Sequence, residues 1–435
     1  MFHAFQQKRL SAPSEQKSLL SLGLKTALTR VFSALFAFLL AVMVSRTTDA
    51  SIAGQFFFLF NLVSLTAIIS QLGFDVALVR YNAIAFSSHN AQQQSDNYKT
   101  ALSRSFAFCV PAGLVIFAGF YLFPETVNQT NAPLPAVALA LLCVPFLVLG
   151  QTNSRVLQAS KKVVSSLFAL QLGVSMLMVF AIAALAMFGL QSLNYLMAAL
   201  LLTCVIVATT STTNWVRSGQ FRKPTSTPNL QLTASAKQVW IGSIFNNVLQ
   251  WGSLVIAGFF ISASEIGLLA AAQRTSLLIG FVLITINFVV APMFASLYKE
   301  GEMDKLRNLS RMACRMNIAA ALIPVLICTL YPVFVLNFFG EEFVAAAPLL
   351  VVLSLGQLVN VATGSVGFLL LMSGHEKTMK YITIGSGTIS IFLLLVLCHI
   401  HGVIGAAWAM AIGMAIQNLA ALYFVKRYLG FFPVG

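Results

Sequence analysis

The sequence predicts an all-α, polytopic membrane protein. Twelve transmembrane helices are expected, in two parallel-repeat halves of six. Three observations carry the helical, membrane-spanning reading. Of 435 residues, 58% are hydrophobic and only 9% are charged, against roughly 25% charged in an ordinary soluble domain. Mean hydropathy is +0.87, so the chain could not cover a water-soluble surface. The apolar stretches are continuous and near the roughly 20 residues that a helix needs to cross a bilayer. They do not alternate as barrel strands do.

Twelve such stretches are punctuated by charged residues or by Gly, Pro and Asn. The first six lie at 24–44, 52–72, 101–123, 134–153, 163–188 and 193–214. The second six lie at 238–260, 266–294, 313–337, 344–371, 378–398 and 402–425. Residues 1–23 are polar and mixed, without the charged start, short apolar core and small-residue site of a cleaved signal, so the first span is expected to stay in the membrane. This divides the chain into an N-terminal segment (1–23), a first bundle (24–214), a basic linker (215–237), a second bundle (238–427) and a tail (428–435).

Charge sets the orientation. The chain carries 26 Lys and Arg against 12 Asp and Glu, a net of +14. With both termini in the cytoplasm, 23 of the 26 Lys and Arg fall in or beside cytoplasmic segments, Arg46 falls on the opposite face, and Arg30 and Arg274 lie inside predicted spans. The surplus therefore reads as topology, with anionic lipid headgroups as its contacts. No soluble basic domain exists to carry nucleic acid. The six cysteines lie in or beside apolar spans without a CxxC pair and read as small buried hydrophobes.

An internal repeat is visible. Ser45-Arg46, a polar turn and Ala53-Gly54 are echoed at Ser262, a polar turn and Ile266-Gly267. The stretch 157–162 is echoed at 371–377 at nearly the same offset. Six spans per half give both copies one orientation, and such folds place a substrate site between the halves.

Polar residues inside spans are costly and face protein or water. The seventh span carries Ser243, Asn246, Asn247, Gln250 and Ser253 at helical spacing. Asn61, Ser64, Gln71 and Asp75 share a side of the second span, Gln273 and Arg274 lie in the eighth, and Gln357 and Asn360 in the tenth. Helix packing competes as an explanation for each of these. Arg274 stands apart, roughly 12 Å inside its span with no mid-span acid to balance it, which calls for a wet cavity or an anionic partner. The candidate cavity residues are thus Arg30, Arg274, Asn246, Asn247, Gln250, Asn61, Gln273 and Asn360. Asp75 is the acid nearest the membrane core and the candidate for ion coupling, with a helix-end role as its competitor. No P-loop and no metal-ligand spacing occurs, and the outer loops are too short for a catalytic domain. A non-enzymatic transporter without cofactor or metal is expected.

Several stretches together resemble a known family: Leu72-Gly73-Phe74-Asp75, Ala77 to Tyr81, Gly267 to Arg274, Ala291 to Leu297, Pro348-Leu349-Leu350 and Ser373-Gly374-His375. In this order they are similar to O-antigen flippases of the polysaccharide transporter family, within the multidrug/oligosaccharidyl-lipid/polysaccharide exporter superfamily. The resemblance implies an all-α fold of two parallel-repeat six-helix bundles around a central cavity, and flipping of an undecaprenyl-diphosphate-linked glycan across the bacterial inner membrane by alternating access. Membrane lipids would be contacts, and a polysaccharide polymerase and glycosyltransferases candidate partners. A multidrug cation antiporter, a lipid II flippase and a non-transporting scaffold for glycan assembly stand as alternatives.

Overall fold

A computed structural model describes residues 13–127, 129–223 and 229–434, and every regular element among them is helical. In a bilayer only helices and closed barrels satisfy their own backbone hydrogen bonds. The first helices are α1 (Pro13–Thr47), α2 (Ala50–Ser70), α3 (Phe74–Ser87), α4 (Ala91–Leu122) and α5 (Leu134–Ala159). Then come α6 (Val163–Met187), with a π turn at Phe168–Leu172, and α7 (Leu193–Val216). Next, α8 runs over 230–257 with a π turn at Val248–Gly252. It is followed by α9 (Ala263–Lys299), α10 (Met303–Leu330), α11 (Ala347–Ala362) and α12 (Val366–Met372). The last, α13 (Glu376–Leu429), bends at Gly402, whose backbone is non-helical.

Nine helices among the described residues are long and apolar enough to cross a membrane. The chain is a multi-pass membrane protein. α8 and α9 cover the seventh and eighth predicted spans. The eleventh and twelfth lie on either side of the Gly402 bend in α13. The six cysteines are buried thiols.

The structure revises several boundaries. The first helix begins at Pro13, within the segment expected to precede the membrane. Segments 73–100 and 295–312, expected as loops, are mostly helix. Leu72 and Gly73 both have positive φ (51° and 81°), which ends α2 and starts α3 in a new direction. Asp75 therefore belongs to a different helix from Asn61 and Ser64, and the expected single stripe is broken. The π turn in α8 similarly disrupts the seventh-span stripe. An inserted π turn rotates the remainder of the helix by about 100° relative to an ideal α-helix, so Ser253 leaves the face of Ser243. Of the linker, residues 224–228 lie outside the described residues, and helices take both of its ends.

α2 and α9 cross at their N-terminal ends, and their backbones touch. A Cβ on Gly54 would run into the Ala263 carbonyl, and one on Gly267 into the Ala50 carbonyl. The contact is reciprocal: Ala50 and Gly54 on one helix face Ala263 and Gly267 on the other. Small residues four apart permit this approach. Arg46 reinforces the same end, donating to the carbonyls of Phe338 and Asn337 at 2.8 Å each. The Glu342 carboxylate accepts from the Ala50 N–H at 2.9 Å.

The paired positions are 213 apart, and this spacing recurs through the chain. It links the starts of α5 and α11, with Pro135 and Pro348 each in the first turn. It links Lys161 and Gly374 (φ 61° and 81°), and Gly189 and Gly402 (φ 68° and 58°). It links the C-caps Arg217 and Gly430.

Substituting Gly54 by Ala should destabilise the protein by about 3 kcal/mol, because two backbones must separate. Gly113, where a Cβ meets nothing within 4 Å, should accept Ala within about 0.5 kcal/mol. Thermal unfolding of the purified variants in detergent compares the two.

Candidate functional site

The π turn of α8 places Trp251 against α9. The Arg274 guanidinium lies over the Trp251 ring, 5.0 Å from its centroid. Arg274 sits about three turns into α9 and makes no ion pair with a carboxylate among the described residues. The quadrupole of an indole attracts a cation, by about 2 kcal/mol when desolvated, without neutralising it. The charge thus remains available to an anion. Arg30 is half-buried on α1, and α1 packs against α9, so the helices of the two candidate arginines are in contact.

One residue before Arg274, Gln273 lines a cavity of about 250 Å³ between α9, α11 and α13. Its polar lining is Gln273, Ser276, Gln357, Asn360, Ser390 and Gln417. Asn360 donates to the Gln357 side-chain carbonyl at 3.1 Å. Of the residues expected from sequence, Gln273 and Asn360 meet here. Gln357, Gln417, Ser276 and Ser390 join them unselected. The Gln417-Asn418 pair inside the final span was the available signal.

The other candidates lie elsewhere. Asn61 is 1% exposed and donates to the Phe57 carbonyl of its own helix at 2.6 Å. Asn247 donates to the Ser243 carbonyl at 2.8 Å. The side chains of Asn246 and Gln250 lie outside the described residues. Asp75, in the first turn of α3, accepts from the Ser243 hydroxyl of α8 at 3.2 Å and lies in the electrostatic field of Arg155. Beside it the Trp240 indole donates to the Ile69 carbonyl at 3.1 Å. Asp75 therefore belongs to a polar seam joining α3 and α8. Chemically, the arrangement offers one unneutralised guanidinium and a cluster of neutral amides, with no metal-ligating group of His, Cys, Asp or Glu among the described residues.

Residues 19–298 match the model of a family described as polysaccharide biosynthesis protein. Over 209 residues the chain is 26% identical to the uncharacterized membrane protein EpsK of Bacillus subtilis strain 168. That match takes in 45% of this chain and 41% of EpsK, so it spans less than half of the relative. Among solved structures, the inward closed form of the lipid II flippase MurJ superposes with a TM-score of 0.74 at 12% identity, covering 92% of this chain and 87% of MurJ. An inward-facing multidrug resistance MATE transporter of the MOP superfamily gives 0.73 at 14% identity, covering 92% and 94%. An outward-facing MATE structure gives 0.63 at 13% identity, covering 95% and 96%. At these identities the likeness establishes the fold.

The Arg274–Trp251 stack should appear in a double-mutant cycle with Arg274→Ala and Trp251→Leu. Thermal unfolding of the four proteins should give a coupling energy of about 1 kcal/mol. Additive effects would mean that the stack is not formed.

Proposed function

The chain belongs to the polysaccharide biosynthesis protein family, and from that premise we propose that it flips an undecaprenyl-diphosphate-linked oligosaccharide across the bacterial inner membrane. The observation that carries this is Arg274, a guanidinium without a carboxylate partner among the described residues, held on Trp251 deep in α9. A diphosphate is an anion that guanidinium binds through charge-assisted hydrogen bonds. The surrounding amides suit sugar hydroxyls, and the prenyl chain can stay in the bilayer.

In this reading the twelve predicted spans form two six-helix bundles, 24–214 and 238–427, joined by the basic linker 215–237, with both termini cytoplasmic. The recurring 213-residue spacing supports it. Arg30 and Arg274 hold the diphosphate, one from each half. The crossing of Gly54 with Gly267, braced by Arg46 and Glu342, closes the outer end. Separating the halves there releases the headgroup outward. The higher TM-score against an inward-facing relative than an outward-facing one is consistent with an outer end that is shut.

A cation-extruding reading needs a free carboxylate in the cavity. Asp75 does not line the cavity and accepts from Ser243 at the α3–α8 seam, which favours the anionic substrate. Asp75 keeps a proposed role in ion coupling, as an acid at the seam where α8 meets α3.

Purified protein in vesicles should flip a fluorescent undecaprenyl-diphosphate-linked oligosaccharide. Arg274→Ala should slow this by about 10- to 100-fold, the worth of one or two charge-assisted bonds. Arg274→Lys should lie between, since it keeps the charge and loses the bidentate fork. Wild-type flipping by a stably inserted Arg274→Ala protein would remove Arg274 from the diphosphate site.

A further inference from the structure

The two halves differ at the cavity between α9, α11 and α13. The residues 213 positions before its polar lining are Phe60 for Gln273, Val63 for Ser276 and Val144 for Gln357. They are likewise Leu147 for Asn360, Leu177 for Ser390 and Cys204 for Gln417. All six first-half residues are apolar. Val63, Val144 and Cys204 are fully buried in the core, and Phe60 and Leu147 pack against it. The architecture can therefore fill this position with hydrocarbon, and does so once. The reverse exchange, polar residues of the first half at apolar positions of the second, leaves those polar groups paired. Ser64 and Ser70, at the positions of Leu277 and Leu283, bond to their own helix. Gln71, at the position of Ile284, bonds to Gln151.

The second-half cavity is also held open. A Cβ on Gly280 would lie 2.8 Å from the Gln357 carbonyl oxygen and 3.7 Å from the Asn360 amide nitrogen. The first half has Ala67 here, wholly buried. Gln273 is more than nine-tenths buried, and its side-chain amide has no hydrogen-bond partner among the described residues. Its donor and acceptor open onto the cavity, where a ligand can pair with them.

We propose that this cavity is a selectivity site for one uncharged sugar of the lipid-linked glycan, distinct from the cationic site that holds the diphosphate. The proposal rests on the flippase reading above. Amides both donate and accept, as sugar hydroxyls and acetamido groups require. Among the described residues no charged side chain lines the cavity, and Leu353, Met410 and Met414 offer an apolar wall to the C–H face of a ring. Neighbouring residues on a helix point about 100° apart. Gln273 therefore faces the cavity while Arg274 lies on Trp251. Sugar and diphosphate would be read on adjacent faces of α9.

The test measures binding to the purified full-length protein of three probes: undecaprenyl diphosphate, and the same lipid carrying N-acetylglucosamine or galactose on the diphosphate. At least one glycosylated probe should bind about tenfold tighter than the bare lipid. The double variant Gln357→Val with Asn360→Leu, which installs the first-half residues, should lose that preference and keep its affinity for the bare lipid. Gly280→Val, which fills the space while retaining both amides, should do the same. Arg274→Ala should weaken all three probes. Equal binding of the three probes by wild type, or a sugar preference that survives in both cavity variants, would overturn the selectivity site while leaving the flippase reading intact. Failure of wild type to bind any probe would instead remove the flippase reading, and the sugar site with it.

Discussion

Everything in this fold is arranged around one close approach, the crossing of α2 and α9 where Gly54 meets Ala263 and Gly267 meets Ala50. No side chain separates the two backbones. Because the contact is reciprocal, neither helix can shift along the other without breaking it on both sides. Lipid supplies no hydrophobic drive for helices to associate, so close packing of small residues must provide it. Arg46 and Glu342 then satisfy backbone groups across the same end, the first giving protons to two helix-terminal carbonyls, the second capping the start of α2. α2 and α9 are thus held together at one end by backbone and backbone-directed contacts.

Below that crossing the same pair of helices carries contrasting surfaces. On α2, Asn61, Ser64, Thr66 and Ser70 all return hydrogen bonds to carbonyls one turn back. Their polarity is absorbed by their own helix. On α9, Gln273 and Arg274 are too long to do this and reach outward, one into the cavity and one onto Trp251. Side-chain length therefore separates packing polarity from binding polarity. On α2 the hydroxyls and the short amide bond to their own turn, whereas Gln273 and Arg274 on α9 do not.

Irregular backbone places the rest. The π turn in α8 carries Trp251 to the guanidinium, and the left-handed pair Leu72-Gly73 turns α3 so that Asp75 meets Ser243. Gly73 also has α8 pressed against it, since a Cβ there would strike the Ala236 carbonyl. α9 covers the corresponding stretch of the second half without a break. One break among otherwise matched elements thus creates the Asp75 seam, and one set of amides in place of apolar residues creates the cavity.

Membrane character, the helical apolar stretches and the lack of an acid near Arg274 along the chain were legible in the sequence, because each is a matter of composition and spacing along one chain. So were Gln273 and Asn360, which do share a cavity. Asn61 and Asp75 were assigned to one stripe and Ser253 to another on the assumption of unbroken α-helices. Local breaks at Leu72-Gly73 and at the π turn undid both assignments, and such breaks carry no strong residue signature. Which polar residues face a cavity and which bond to their own helix was a matter of packing in three dimensions. Packing also supplied Trp251 as the platform for Arg274, Gln357 and Gln417 as further cavity walls, and Gly280 as the gap that keeps the cavity open. Those outcomes depend on contacts between helices hundreds of residues apart in some cases, where a single absent Cβ sets the spacing, and no pattern along one helix records it.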